Sequence, residues 1–160
     1  TGVRFKVSHE LKRVFFSVSG IEVFVRLIAG EYPPYEKIIP SNFTTEVIFE
    51  SSELLDNLKR ASIFARESSN IIRLEITDKS VFIHASSPSF GEYHGELQLA
   101  VVKGVPNEIA FNSKYLLDYL AATKADKHWF GMSESLKPAL FRPNEHTQQQ
   151  YVVMPFKVNG

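Results

Sequence analysis

The chain is 160 residues long, the size of one ordinary domain or of one domain with part of another, and a chain of this length buries roughly 70% of its unfolded surface without needing covalent staples. Its 44% hydrophobic, 22% charged and 12% aromatic content is that of a globular protein, and the absence of cysteine excludes a disulfide framework, a thiolate metal site, a thiol nucleophile and an iron–sulfur cluster. Eighteen basic residues balance eighteen acidic ones, so no global charge draws the chain to phosphate or to an anionic membrane, and any contact with nucleic acid has to be local.

The start at Thr1 carries no charged-then-apolar leader pattern, which predicts a piece of something longer. The first residues alternate as Val3, Phe5, Val7, then Val14, Phe16, Val18, then Ile21, Val23, Val25, with turns over residues 8–12 and at Ser19-Gly20. Period-two alternation of this kind predicts a three-stranded meander. Gly30-Glu31-Tyr32-Pro33-Pro34-Tyr35, running on to Pro40-Ser41-Asn42, is the linker, because two successive prolines block ladder hydrogen bonds and hold the chain extended.

Beyond the linker a pattern repeats. A strand at 45–51 (Val47 and Phe49 on one face) leads into a helix at 52–66, whose Leu54, Leu55, Leu58, Ala61 and Ala65 fall on one stripe. Strands follow at 70–77, 80–86 and 92–102. After the turn Lys103-Gly104-Val105-Pro106 come a strand at 108–112, a helix at 113–124 with Asn112 as N-cap, and strands at 127–133, 138–142 and 150–158. The order strand, helix, strand, strand, strand thus occurs twice. The expected fold is α+β, with two βαβββ repeats preceded by a short β meander. Two four-stranded antiparallel sheets carry both helices side by side on one face.

The residues name few chemistries. His9, His84, His94, His128 and His146 include no i,i+4 pair and no HExxH, which leaves them structural or surface roles and predicts no metal site and no cofactor. Walker, GxGxxG, GxSxG and kinase motifs are missing, so an enzyme reading requires an unrecognised site, and no catalytic residue is expected. No apolar run exceeds four residues, against the roughly 20 of a membrane-spanning helix, so no membrane partner is expected. Asn42-Phe43-Thr44 matches a glycosylation sequon in the linker, a chance match in a chain with no export signal. Lys59, Arg60 and Arg66 lie off the apolar stripe of the first helix and Lys114 lies on the second; they are either a solvated face or point charges for a phosphate backbone. Tyr151-Val152-Val153-Met154-Pro155-Phe156 is a strand whose proline confines it to an edge or an end; it reads either as core or, with Met154, as an adaptable binding surface.

Several blocks together resemble the bacterial sliding clamp family, the beta subunit of DNA polymerase III. Leu27-Ile28-Ala29-Gly30-Glu31-Tyr32-Pro33-Pro34-Tyr35 with Ile38-Ile39-Pro40 is similar to the junction of that family's second and third domains. Leu58-Lys59-Arg60-Ala61, Phe111 to Asp118, Lys137-Pro138 and Tyr151 to Pro155 match its third domain in order, and Thr1-Gly2-Val3-Arg4-Phe5 is similar to an element of the second, without its aspartate.

The resemblance implies a DNA clamp fold, with residues 1–40 as the last strands of the middle domain and 41–160 as the C-terminal domain. It also implies a non-enzymatic, cytoplasmic processivity factor that encircles double-stranded DNA as a homodimeric ring without reading its sequence. Because the family's ring joins the third domain of one protomer to the first of the next, this chain alone is expected to be monomeric. A hydrophobic cleft that takes short peptides of polymerases, clamp loader and repair proteins is implied at Pro33, Lys37, Ile38, Asn112, Tyr115, Leu136, Pro138, Val152, Val153, Met154, Pro155 and Phe156. Lys37 stands where arginine is common in the family, so a planar donor fork is lost. Lys59, Arg60, Arg66 and Lys114 are the implied DNA-facing residues.

Overall fold

The computed structural model describes residues 2–98, 101–145 and 148–157. Thr1, His146 and Val158, which entered the sequence readings above, lie outside the described residues. The chain divides into two compact units, Thr1–Pro34 and Tyr35–Gly160.

The first unit is the expected antiparallel meander of β1 (Arg4–Ser8), β2 (Arg13–Val18) and β3 (Ile21–Arg26), in that spatial order. Ser19 and Gly20 both have positive φ, which is the two-residue hairpin geometry whose twist matches the flanking strands. Register aligns Phe5 with Phe16 and Phe16 with Val23, and Val7 with Val14 and Val14 with Val25. One face is consequently apolar throughout, while Arg4, Lys6, Phe15, Ser17, Glu22 and Phe24 form the other.

The second unit opens with a single 3-10 turn at Tyr35–Lys37. It continues as β4 (Thr45–Glu50), α1 (Ser51–Ala65), β5 (Ile71–Ile76), β6 (Ser80–Ser87), β7 (Gly91–Gln98) and β8 (Val101–Gly104). β9 (Asn107–Asn112), α2 (Ser113–Ala122), β10 (Lys127–Met132), β11 (Ala139–Pro143) and β12 (Tyr151–Val153) complete it. The strands form a five-stranded sheet ordered β12-β11-β10-β4-β8 and a four-stranded sheet ordered β7-β6-β5-β9, all pairings antiparallel. The two repeats exchange their first strands, so that β4 pairs with β10 of the second repeat and β9 with β5 of the first.

Three expectations change here. The sheets hold five and four strands rather than four each, and the segment read as one strand over 92–102 is two, β7 in one sheet and β8 in the other. Alternation records which side chains face a core but not which strand lies alongside, so a change of sheet leaves no mark in the pattern. The last strand is likewise shorter than 150–158. Its ladder ends at Val153, and after Pro155, which has no N–H to give, the described residues continue in an isolated bridge from Phe156 to Ala110.

Burial follows the expected patterns. Val47 and Phe49 of β4, Ile72, Leu74 and Ile76 of β5, and Val81, Ile83 and Ala85 of β6 point inward, against Leu54, Leu58, Ala61 and Ala65 of α1. Leu55 is only half-buried, at the margin of that stripe. α1 and α2 pack side by side. Phe111, Phe130 and Phe141 meet beneath them, with ring centroids 6.3, 6.1 and 4.6 Å apart, distances at which edge-to-face and tilted pairs are favourable. At the start of the five-stranded sheet Gly104 has φ +96° and lies hard against the Thr44 carbonyl, a place that no side chain can share. No helix among the described residues is long and apolar enough to cross a membrane.

Candidate functional site

The segment from Tyr151 to Phe156 joins the edges of the two sheets. β12 is the outermost strand of the five-stranded sheet, held by Ala139–Val153, Leu140–Val152 and Phe141–Tyr151 pairs. Three residues further on, the Phe156 N–H donates to the carbonyl of Ala110 at 2.8 Å, and Ala110 belongs to β9, the edge of the four-stranded sheet. Between these two anchorages Met154 has no ladder partner among the described residues and is 58% exposed. Pro155, fixed in φ, keeps this span extended.

α2 supplies the neighbouring surface. Asn112 caps it as expected, its Oδ1 accepting the Lys114 N–H at 3.0 Å, while its Nδ2 donates to the Ser69 carbonyl at 3.4 Å. One turn on, the exposed Tyr115 accepts at its carbonyl a 3.1 Å hydrogen bond from the Tyr151 hydroxyl, which ties α2 to β12. The Tyr151 ring stacks on Tyr119 at 5.0 Å and 22°, and the Tyr119 hydroxyl shares a 2.8 Å hydrogen bond with Nδ1 of the fully buried His128. Burial raises the Tyr119 pKa well above the ordinary phenol value, the Arg142 charge pulling weakly the other way. Burial lowers that of His128, so its ring is neutral near pH 7. Its Nε2 has no hydrogen-bond partner among the described residues. Sequence reasoning passed over this buried Tyr119–His128 pair because only the fold brings the two side chains together.

The expected cleft residues are placed as follows. Leu136 and Phe156, both exposed, line a cavity of about 180 Å³ with Ile109 and Ala110. Pro138 is half-buried immediately before β11, and Val152 is half-buried opposite Leu140. Val153 is buried and belongs to the core. Lys37 and Ile38 are exposed at the 3-10 turn that opens the second unit, where the Ile38 N–H donates to the Tyr35 carbonyl at 2.9 Å, and Pro33 belongs to the first unit.

Lys59, Arg60, Arg66 and Lys114 are all exposed. Ser52, Asp56, Lys59 and Ile63 of α1 and its C-cap Arg66 recur at three- and four-residue steps, opposite the buried stripe, with Arg60 beside them. None of the four cations is in an ion pair among the described residues, whereas Lys127 is held by Glu50 at 2.7 Å and Lys137 by Glu134 at 2.6 Å. No group of three or more histidine, aspartate or glutamate side chains among the described residues is arranged to hold a metal.

Comparison with known proteins adds an independent observation. Residues 36–157 match the family described as DNA polymerase III beta subunit, C-terminal domain. The beta sliding clamp of Staphylococcus aureus is 29% identical over 146 residues, covering 91% of this chain and 39% of the relative. Among solved structures, the DNA polymerase III beta chain of Streptococcus pneumoniae superposes with a TM-score of 0.83 at 26% identity, over 98% of this chain and 41% of that one. A sliding clamp from Pseudomonas aeruginosa bound to griselimycin gives 0.81 at 26%, over 96% of this chain and 41% of that one. The chain thus spans about two fifths of the length of the relatives it matches.

Proposed function

The chain belongs to the DNA polymerase III beta-subunit family through that family's C-terminal domain, and on this premise we propose that it serves as the C-terminal domain of a sliding clamp. In this reading it is a non-enzymatic part of a homodimeric ring in the cytoplasm that encircles duplex DNA and keeps the replicative polymerase on it. Residues 1–40 are the closing strands of the middle domain together with the linker that follows them, and 41–160 the C-terminal domain. Lys59, Arg60, Arg66 and Lys114 meet the phosphate backbone as exposed point charges, a contact that is sequence-independent and salt-sensitive.

The observation that carries the proposal is the 151–156 segment, fixed at both ends by backbone pairing with Met154 held open between them. An extended peptide of a polymerase or clamp loader, ending in a hydrophobic pair, requires a preformed apolar surface with a few placed polar groups. Tyr115, Leu136, Val152, Met154, Pro155 and Phe156 supply the first, and the amide of Asn112 the second.

Titration of a fluorescent glutamine-x-x-leucine-phenylalanine peptide into the chain is expected to show saturable one-to-one binding that an unlabelled copy displaces. Absence of displaceable binding refutes the peptide surface. The ring itself is tested with a protein carrying all three clamp domains: retention on circular DNA and loss on linearisation are expected, and equal retention on both refutes the topological function.

A further inference from the structure

α2 and the edge strand β12 meet through tyrosines, and one of these, Tyr151, stands outside the set of cleft residues that resemblance implies. It opens the 151–156 segment on the same side of β12 as the buried Val153. Its ring stacks on Tyr119, with centroids 5.0 Å apart and planes 22° from parallel. Its hydroxyl donates to the Tyr115 carbonyl at 3.1 Å. That carbonyl accepts the bond without loss to the helix, because its oxygen has two lone pairs and the helical ladder uses one. Among the described residues this is the only hydrogen bond between α2 and β12.

The bond joins two parts of the peptide surface. α2 is seated in the core through the buried Ser113, Leu116 and Tyr119, whereas Tyr115 lies on its exposed flank, one turn after the Asn112 cap. Tyr151 lies three residues before Met154, in a segment whose backbone is fixed by pairing to Phe141 at one end and to Ala110 at the other. One hydroxyl thus links the helical turn that carries Asn112 and Tyr115 to the strand that runs into Met154.

We propose that Tyr151 is a positioning residue of the peptide surface: its hydroxyl holds the first turn of α2 against the edge segment, so that Tyr115 and Met154 are correctly spaced before a peptide arrives. The inference rests on the peptide reading given above. A surface whose two halves are locked in the free protein binds more tightly than one that takes the right spacing only part of the time, since apparent affinity falls with the competent fraction. One neutral hydrogen bond biases such an equilibrium by about two- to tenfold, and that is the loss expected when it is removed. Tyr119 provides the contrast. It is buried and its hydroxyl is shared with the buried His128, so it holds the core rather than the surface.

The test is anisotropy titration of the fluorescent glutamine-x-x-leucine-phenylalanine peptide into wild type, Tyr151→Phe, Tyr119→Phe, Tyr115→Ala and the double variant Tyr151→Phe, Tyr115→Ala, with the urea midpoint of each. Tyr151→Phe keeps the ring and its stack and removes only the hydroxyl; it should weaken the peptide about two- to tenfold. Tyr119→Phe takes from the His128 ring its one hydrogen-bond partner among the described residues. It should lower the urea midpoint further than Tyr151→Phe does, yet leave the affinity of the folded protein unchanged. In the Tyr115→Ala background there is no ring to position, and Tyr151→Phe should cost nothing more. Wild-type binding with equal affinity in Tyr151→Phe overturns the positioning role and leaves the peptide surface standing. An equal loss in Tyr119→Phe, or an undiminished loss in the Tyr115→Ala background, overturns it too, and failure of wild type to bind overturns both readings.

Discussion

Replacing Met154 by alanine separates a peptide-binding surface from an ordinary edge strand. Met154 is 58% exposed, and burying a whole methionine side chain is worth about 1.5–3 kcal/mol, so covering the exposed share with a peptide is worth about 1–2 kcal/mol. Met154→Ala should therefore weaken the glutamine-x-x-leucine-phenylalanine peptide about five- to thirtyfold, while the denaturation midpoint barely moves, because little of the side chain is packed in the free protein. Its neighbour gives the opposite result. Val153 is 3% exposed and pairs with Ala139 inside the core, so Val153→Ala should cost about 2 kcal/mol of stability by losing burial and leaving a void, with little direct effect on the peptide once the protein is folded. Fluorescence anisotropy with the labelled peptide and urea denaturation on both variants complete the test. If the Met154→Ala and wild-type isotherms overlay while Val153→Ala destabilises as expected, Met154 is a bystander and the peptide surface lies elsewhere.

Three further outcomes follow from particular side chains. Burial depresses the His128 pKa in the folded state below its ordinary 6.5, so the unfolded chain takes up a proton that the folded chain resists: stability is full above about pH 6.5 and falls as pH drops below it. Urea midpoints at pH 7.5 and 5.5 should show this loss, and His128→Gln should shrink it; an unchanged pH dependence contradicts the assignment. Reversing charge in the double variant Lys59→Glu, Arg66→Glu should flatten the logarithmic salt dependence of duplex binding by roughly 2, at about 0.9 per phosphate contact, equally on unrelated sequences, and an unaltered slope places DNA on another surface. Gly104→Ala should destabilise by about 3 kcal/mol or more, since it needs positive φ and drives a methyl into the Thr44 carbonyl; a calorimetric melting point equal to wild type contradicts that packing.

The parts of this fold legible from the sequence are those governed by neighbours along the chain. Alternation in Val3, Phe5 and Val7 and in Val47 and Phe49 marks strands, the stripe from Leu54 to Ala65 marks α1, and Asn112 marks the start of α2 through a cap that needs only its own side chain. What stayed hidden depends on partners distant in sequence. The exchange of β4 and β9 between repeats, the division of 91–104 into β7 and β8, and the meeting of Tyr119 with His128 arise from long-range pairing that periodicity does not encode. His84 and His94 are ten residues apart and unremarkable until register sets them face to face.

The proposed peptide surface shows the same division within a few residues. Resemblance marks Val152, Val153, Met154, Pro155 and Phe156 as one block, yet the pleat of a strand sends successive side chains to opposite sides. Val153 accordingly goes to the core and Met154 to the surface. The core-facing residue makes the surface-facing one useful, because Val153 and the Phe156–Ala110 bridge immobilise the backbone on either side of Met154 and Pro155. Proline removes much of the remaining freedom of that short span. A peptide arriving there meets a backbone already ordered by folding, so less of its contact energy is lost to ordering the receptor. A block that alternates between core and surface, closed by a proline and a bridge, is thus a consistent way for one edge segment to complete the fold and remain available to a partner.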